Sequence, residues 1–185
     1  MEKFVNQIGA YLLKKGAIRQ DDLEVFAYGL DVLLFSALSA LGALALGLLI
    51  GRFVEMVFCM LAFAVLQATG GGYHANTHLM CFLTTVCGAM VSAALCGVLP
   101  VWGAFLCMLL GIIAVFGYAP VEHADAPMSA EKKIRARRSA RIACLGLAAA
   151  ACAVYAWRPV LATAIAVGIG MSGVSKHAAR SLSGK

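Results

Sequence analysis

Charged side chains are scarce in this chain of 185 residues. Only 13% of the residues are Asp, Glu, Lys or Arg, whereas 62% are hydrophobic, and the mean hydropathy is +0.88. A typical soluble domain carries about 25% charged residues, so this composition excludes an ordinary soluble domain. It predicts instead a protein that crosses a membrane several times.

A continuous apolar segment is missing from residues 1–30, and we therefore expect no signal peptide. This region contains Phe4, Ile8, Tyr11 and Leu12 at helical spacing, with lysines beyond them. The spacing favours an amphipathic N-terminal helix that lies on the membrane surface. An ordinary soluble helix is the alternative.

Long apolar runs begin only at residue 32. Six runs follow, at residues 32–50, 53–66, 79–99, 101–118, 142–157 and 159–174. A membrane span needs about 20 apolar residues, which the second, fifth and sixth runs reach only with flanking residues. The sequence thus predicts an all-α membrane protein, with six transmembrane helices in a single domain and a hairpin at Pro100.

The distribution of the basic residues indicates the orientation of the protein in the membrane and not a nucleic-acid-binding patch. If the N-terminus is cytoplasmic, all of the 15 Lys and Arg residues except Arg52 and Arg158 fall in inner segments. Such a bias obeys the positive-inside rule and predicts a multi-pass protein with both termini and the segment 67–78 in the cytoplasm. The basic run 132–141 would contact anionic lipid headgroups, and it could also bind an acidic peptide.

Six of the seven cysteines lie inside apolar runs: Cys59, Cys87, Cys96, Cys107, Cys144 and Cys152. We expect these to pack like small hydrophobic side chains and not to form disulfides. Cys81 differs, because it follows a polar break that contains three consecutive glycines and two histidines. Ionisable groups at membrane depth are costly, so the break is a candidate functional site.

A histidine near a cysteine supplies the chemistry of a cysteine peptidase, since an imidazole can take the thiol proton and leave a nucleophilic thiolate. In a continuous helix, His74 and Cys81 would stand about 10.5 Å apart, too far for proton transfer. The glycines could fold His74 back towards Cys81, whereas His78 would neighbour Cys81 on a helix face. Asn76 and Thr77 can cap the next helix, so that Cys81 lies in its first turn, where the helix dipole favours a thiolate.

Other interpretations of the break remain open. The glycines could simply end a span, and His78 could simply lie at the membrane interface. His74, His78 and Cys81 also suit a zinc site, with His123 as a fourth ligand. A small transporter or channel with a broken-helix binding site at the glycines is a further alternative, although the chain has no internal symmetry. The last alternative is a scaffold that binds a partner through the basic run.

The segment Gly71-Gly72-Tyr73-His74-Ala75, followed by Cys81, Tyr118-Ala119-Pro120 and a basic run, resembles the accessory gene regulator B family. That family consists of bacterial six-span membrane cysteine endopeptidases that process the precursor of a quorum-sensing autoinducing peptide. The resemblance implies that His74 is the base and Cys81 the nucleophile, with no cofactor and no metal. It further implies a thioester intermediate, captured by a substrate cysteine to give a thiolactone.

The partner implied by the resemblance is a small amphipathic precursor peptide with a central Cys and an acidic tail, bound at the bacterial cell membrane. We expect it to contact Gly71, Gly72 and Gln67, and the basic side chains Lys132, Lys133, Arg135, Arg137 and Arg138. One position departs from the family. Members usually carry an arginine shortly before the glycines, where this chain has Gln67-Ala68-Thr69. Membrane lipid is a second expected partner, and the sequence leaves a homodimer open.

Overall fold

The structure is a computed structural model that describes residues 2–20, 23–73, 78–121 and 128–183. These residues form seven α-helices and no β-strand: α1 (Glu2–Lys14), α2 (Leu23–Leu49), α3 (Phe53–Gly70), α4 (His78–Val98), α5 (Val101–Tyr118), α6 (Ala130–Tyr155) and α7 (Pro159–Ser183). The predicted all-α fold and the N-terminal helix are confirmed.

Six helices, α2 to α7, contain a segment that is long and apolar enough to cross a membrane. Prolines mark the start of two of them. Pro100 immediately precedes α5 and Pro159 is the first residue of α7, positions where a missing N–H breaks no helical hydrogen bond. The protein is thus a multi-pass membrane protein, as the sequence predicts.

The basic run, which precedes the fifth apolar run, is itself helical. Helix α6 begins at Ala130, so residues 132–141 occupy its first turns. Ser129 caps the helix, because its Oγ accepts a hydrogen bond from the Lys132 N–H at 3.4 Å, and Glu131 lies in the first turn. Both features stabilise a helix N-terminus. His123 lies outside the described residues.

Helix α7 is the centre of the bundle and packs against α3, α4, α5 and α6. Residues 162–169 are all buried. Small residues make this packing close: a Cβ at Gly168 would lie 2.5 Å from the Cys59 carbonyl oxygen, and a Cβ at Gly111 would lie 2.5 Å from that of Ile169. Close approach of small residues is how membrane helices associate. It brings the polar side chains of α7 against the end of α3.

Candidate functional site

The glycine turn, residues 70–73, begins where α3 ends. Gly71 has a φ of 64°, a conformation that glycine adopts readily, and its N–H donates to the Gln67 carbonyl oxygen at 2.9 Å. A Cβ at Gly71 would lie 2.8 Å from the Val121 carbonyl oxygen. The Val121 N–H in turn donates to the Gly70 carbonyl oxygen at 3.0 Å. The turn is thus joined to the segment that follows α5.

Gln67 belongs to the last turn of α3, although the sequence analysis placed it in a loop. Its side-chain amide lies directly against Gly72, so closely that a Cβ at Gly72 would overlap it. The Gln67 Nε2 donates to the Ser175 Oγ at 2.9 Å, and the Tyr73 N–H donates to the same Oγ at 3.0 Å. Ser175 of α7 therefore holds both Gln67 and the residue immediately before His74.

His74 lies outside the described residues, as do Asn76 and Thr77. The fold-back of His74 towards Cys81 and the capping of α4 therefore stay predictions. The zinc alternative depends on the same segment. Within the four described ranges, no group of three or more His, Cys, Asp and Glu side chains is arranged to hold a metal ion.

Cys81 lies in the first turn of α4, which begins at His78, as the sequence analysis expected. Its thiol is free and half-buried. The first four N–H groups of a helix have no partner within that helix, and the dipole of the helix favours negative charge there. A thiolate on Cys81 would therefore lie at the positive end of the α4 dipole. The other described cysteines are also free.

A cleft continues the face of α4 on which Cys81 lies. Residues four, seven and eleven positions after Cys81 share its face of the helix, and these are Thr85, Gly88 and Ser92. All three line a small, partly open cleft between α3, α4 and α7, which is otherwise mainly apolar. Its other lining residues are Cys59, Met60, Phe63, Thr84, Ala89 and Met171. The cleft can accept an apolar group on the face of α4 that also carries the Cys81 thiol.

Lys176 lies beyond the predicted end of the last span, and the structure shows that it is helical and buried. The last span was predicted to end at residue 174, with Lys176 in a cytoplasmic segment. Helix α7 instead continues to Ser183, and Lys176 is fully buried, with 0% exposure. Its Nζ donates to the Leu66 carbonyl oxygen at 3.0 Å, the Gln67 Oε1 at 3.2 Å and the Ser172 Oγ at 2.9 Å.

A signal for this burial was present in the sequence. Residues 165, 169, 172, 176 and 179 repeat at alternating intervals of four and three, and all of them are buried. Such spacing places Lys176 on the same helix face as Ile165 and Ile169. The hydrophobic run alone could not show this, because the run ends before Lys176.

The basic run lies at the same end of the bundle as the glycine turn. A Cβ at Gly70 would lie 3.1 Å from the Ala140 Cβ and 3.2 Å from the Ala119 Cβ, so α6 and the end of α5 both reach the turn. Most of the five predicted substrate-binding side chains are exposed: Lys132, Arg135, Arg137 and Arg138, with Lys133 half-buried. Their contact with a peptide stays a prediction.

Two arginines fasten the first turns of α6 to the end of α5. The Arg137 Nε donates to the Ala119 carbonyl oxygen at 3.3 Å, and the Arg141 Nη2 donates to the Phe116 carbonyl oxygen at 3.0 Å. The Arg141 guanidinium also lies 5.0 Å from the centre of the Phe116 ring, a favourable cation–π distance. Arg137 is therefore engaged with backbone, whereas Lys132, Arg135 and Arg138 present exposed charge.

Comparison with known proteins gives two matches. The family model described as accessory gene regulator B matches residues 2–175. A protein from Clostridium perfringens, named AgrB-like protein 1, is 24% identical over 137 residues, which cover 73% of each chain. No solved structure matches this chain.

Proposed function

This chain belongs to the accessory gene regulator B family, which acts in the processing of quorum-sensing peptides, and on that basis we propose that it is a membrane-embedded cysteine endopeptidase. Cys81 is the nucleophile and His74 the base. The observation that carries the proposal is the position of Cys81. Its thiol is free and half-buried, and it lies in the first turn of α4, shortly after the glycine turn in the sequence.

The first chemical step forms an acyl-enzyme. The His74 imidazole takes the Cys81 proton, and the Sγ attacks a carbonyl carbon of the precursor peptide. The C–N bond then breaks, and the departing amine takes the proton from the imidazolium. The oxyanion would lie near the backbone N–H groups of Met80 and Cys81, at the N-terminal end of α4, where the helix dipole favours negative charge.

The second step releases the peptide as a ring. A cysteine thiol of the substrate attacks the enzyme thioester, which transfers the acyl group to the substrate sulfur and returns the Cys81 thiol. One thioester replaces another, so the transfer needs no separate energy source. The enzyme holds the substrate thiol next to the thioester, so that its effective concentration there exceeds that of water. The thiol therefore captures the acyl group before water can hydrolyse the thioester.

Substrate binding would use the two surfaces that flank Cys81. The cleft along α4 accepts an apolar part of the precursor, and the exposed Lys132, Arg135 and Arg138 attract its acidic tail. The cell membrane, with the glycine turn and both termini in the cytoplasm, is the location that fits the distribution of basic residues. A cytoplasmic precursor would then reach both surfaces from one side.

The test uses purified protein in liposomes and a precursor peptide with an amphipathic N-terminus, a central Cys and an acidic tail, to be sought in a short reading frame beside the gene. Replacing the substrate cysteine by Ser should slow capture, so that mass spectrometry detects the peptide as a thioester on Cys81. Cys81→Ala should abolish both cleavage and adduct. The matched control is Cys87→Ala, an exposed cysteine of the same helix, which should process normally. Cleavage by Cys81→Ala would overturn the proposal.

A further inference from the structure

We propose that Lys176 is a positioning residue: its buried ammonium group, acting through Leu66 and Gln67, fixes the glycine turn so that His74 reaches Cys81. The inference rests on the proposed function, because it concerns the same catalytic pair. Lys176 stands 95 positions after Cys81 in a different helix, and its position in the sequence does not connect it with the site.

The first argument is the environment of the ammonium group. Lys176 is 0% exposed, and its three N–H donors are matched by three neutral oxygens, those of Leu66, Gln67 and Ser172. No carboxylate forms an ion pair with it among the described residues. A buried cation with only neutral partners is seldom the most stable choice, and apolar residues of similar volume often stabilise a core more. Stability alone therefore does not account for a lysine here.

The second argument is what the amine holds. Leu66 lies in the last turn of α3, where the helix dipole presents negative charge, so a cation is favoured at this end. The amine also orients the Gln67 amide: Oε1 accepts from Lys176, and Nε2 donates to the Ser175 Oγ. Gln67 carries no charge of its own, so the cation at this helix end is supplied by α7.

The third argument is that the contacts continue to the residue before the base. Ser175 accepts from Gln67 and also from the Tyr73 N–H, so the chain of contacts runs from Lys176 through Gln67 and Ser175 to Tyr73. His74 is the next residue. The turn is also closely packed on this network, since a Cβ at Gly70 would lie 3.0 Å from the Lys176 Cε, and one at Gly72 would overlap the Gln67 amide. Displacement of the amine would therefore move Tyr73.

The experiment measures how fast iodoacetamide alkylates Cys81 in the purified full-length protein at neutral pH, by mass spectrometry of the Cys81 peptide. Four proteins are compared: the unaltered chain, His74→Ala, Lys176→Met, and the double variant. If His74 activates the thiol, its loss should slow alkylation by about tenfold. Lys176→Met should slow it by a similar factor, and in the His74→Ala background it should have no further effect, because both act through one base.

Two further variants separate positioning from folding. Ser175→Ala removes the acceptor of the Tyr73 N–H without removing a charge, and it should slow alkylation less than Lys176→Met. The pair Gln67→Arg with Lys176→Met supplies a cation from α3, at a residue whose side chain contacts the Lys176 amine, and it should restore most of the rate. The matched control is Arg158→Met, which removes an exposed cation just before the opposite end of α7 and should leave alkylation unchanged.

The outcomes distinguish this inference from the proposed function. If His74→Ala slows alkylation and correctly folded Lys176→Met does not, the inference is wrong and the catalytic pair stands. A Lys176→Met effect of equal size in the His74→Ala background would also overturn it, since that effect would not run through His74. If Lys176→Met does not fold, Ser175→Ala is the test instead. An unchanged rate of Cys81 alkylation in Ser175→Ala would then reject the inference. If His74→Ala alkylates and cleaves normally, His74 is not the base and the inference is wrong, whereas the proposed cysteine peptidase itself fails only if Cys81→Ala still cleaves.

Discussion

Glycine is required at residues 71 and 72 for different physical reasons. Gly71 adopts a positive φ of 64°, which disfavours any side chain, whereas Gly72 lies so close to the Gln67 amide that no Cβ fits. The first requirement belongs to the backbone and could be anticipated from three consecutive glycines. The second depends on a side chain of α3 and on its hydrogen bonds to α7.

This difference gives a prediction about stability. Gly72→Ala should lower the free energy of unfolding by about 1–3 kcal/mol, because the new methyl group overlaps a packed side chain. Adding Gln67→Ala should make the two effects clearly non-additive, since truncation of the amide makes room for the methyl group. Gln67→Ala should not reduce the destabilisation caused by Gly71→Ala, because that destabilisation comes from the positive φ of residue 71. The measurement is unfolding in detergent, with Gly146→Ala as a control where a Cβ meets nothing within 4 Å. Additive effects at residues 67 and 72 would contradict the packing described.

The choice of base is also tested at the scale of single residues. If the glycine turn brings His74 to Cys81, His74→Ala should reduce precursor cleavage as severely as Cys81→Ala does, on the order of 100-fold or more. His78→Ala should reduce it only slightly. Initial cleavage rates in liposomes are the measurement. The reverse order of the two histidines would identify His78 as the base, and loss of activity with a chelator would favour the zinc alternative.

At the scale of elements, α4 carries the proposed nucleophile and a cleft on one face. Cys81, Thr85, Gly88 and Ser92 recur at helical spacing, so the cleft begins about one turn below the thiol. In the proposed mechanism, the helix would set the distance between the scissile bond and any apolar group of the substrate that enters the cleft. The polar break could be found in the sequence, but the cleft also needs Cys59 of α3 and Met171 of α7.

Filling the cleft should change substrate binding more than chemistry. Gly88→Leu would occupy the space in front of Met171, whose Cε lies only 3.0 Å from a Cβ at residue 88. We expect KM for the precursor to rise about tenfold, with a smaller change in kcat, because the nucleophile is untouched. Gly146→Leu adds the same side chain in open space on α6 and should have no effect. An unchanged KM in Gly88→Leu would remove the cleft from the substrate site.

At the scale of the whole molecule, the glycine turn and the first turns of α6 meet at one end of the bundle. An acidic peptide tail at that end would be attracted by Lys132, Arg135 and Arg138 together. The sequence predicted that both segments share a side of the membrane. Their direct contact through Ala119 and Ala140 is a property of the packed helices.

Reversing these three charges to Glu should therefore raise KM for the precursor by about tenfold at low ionic strength, and by less as salt is added. Cleavage of bound peptide should change little. Charge reversal can also invert the orientation of a membrane protein. The same variants must therefore also carry Thr77→Cys, and a membrane-impermeant thiol reagent then shows on which side of the membrane this cysteine lies. Labelling of residue 77 only from outside intact cells, in the otherwise unaltered chain, would contradict the proposed orientation and the mechanism with it.

The amino-acid sequence alone determined the features that depend on neighbouring residues. The six spans follow from runs of apolar side chains, and the break before Cys81 follows from glycines and from the start of a helix at His78. Cys81 could thus be chosen from seven cysteines as the candidate nucleophile without any structure, because only this cysteine follows a polar break.

The tertiary structure decided the burial and the partners of Lys176. In the sequence the residue follows the last apolar run, and burial of an ammonium group is unfavourable without hydrogen-bond acceptors. Two of its three acceptors come from α3, 110 and 109 residues earlier in the chain. No local pattern could show that Leu66 and Gln67 would be there. Only the packing of α7 against α3 supplies them, and with them a cation beneath the glycine turn.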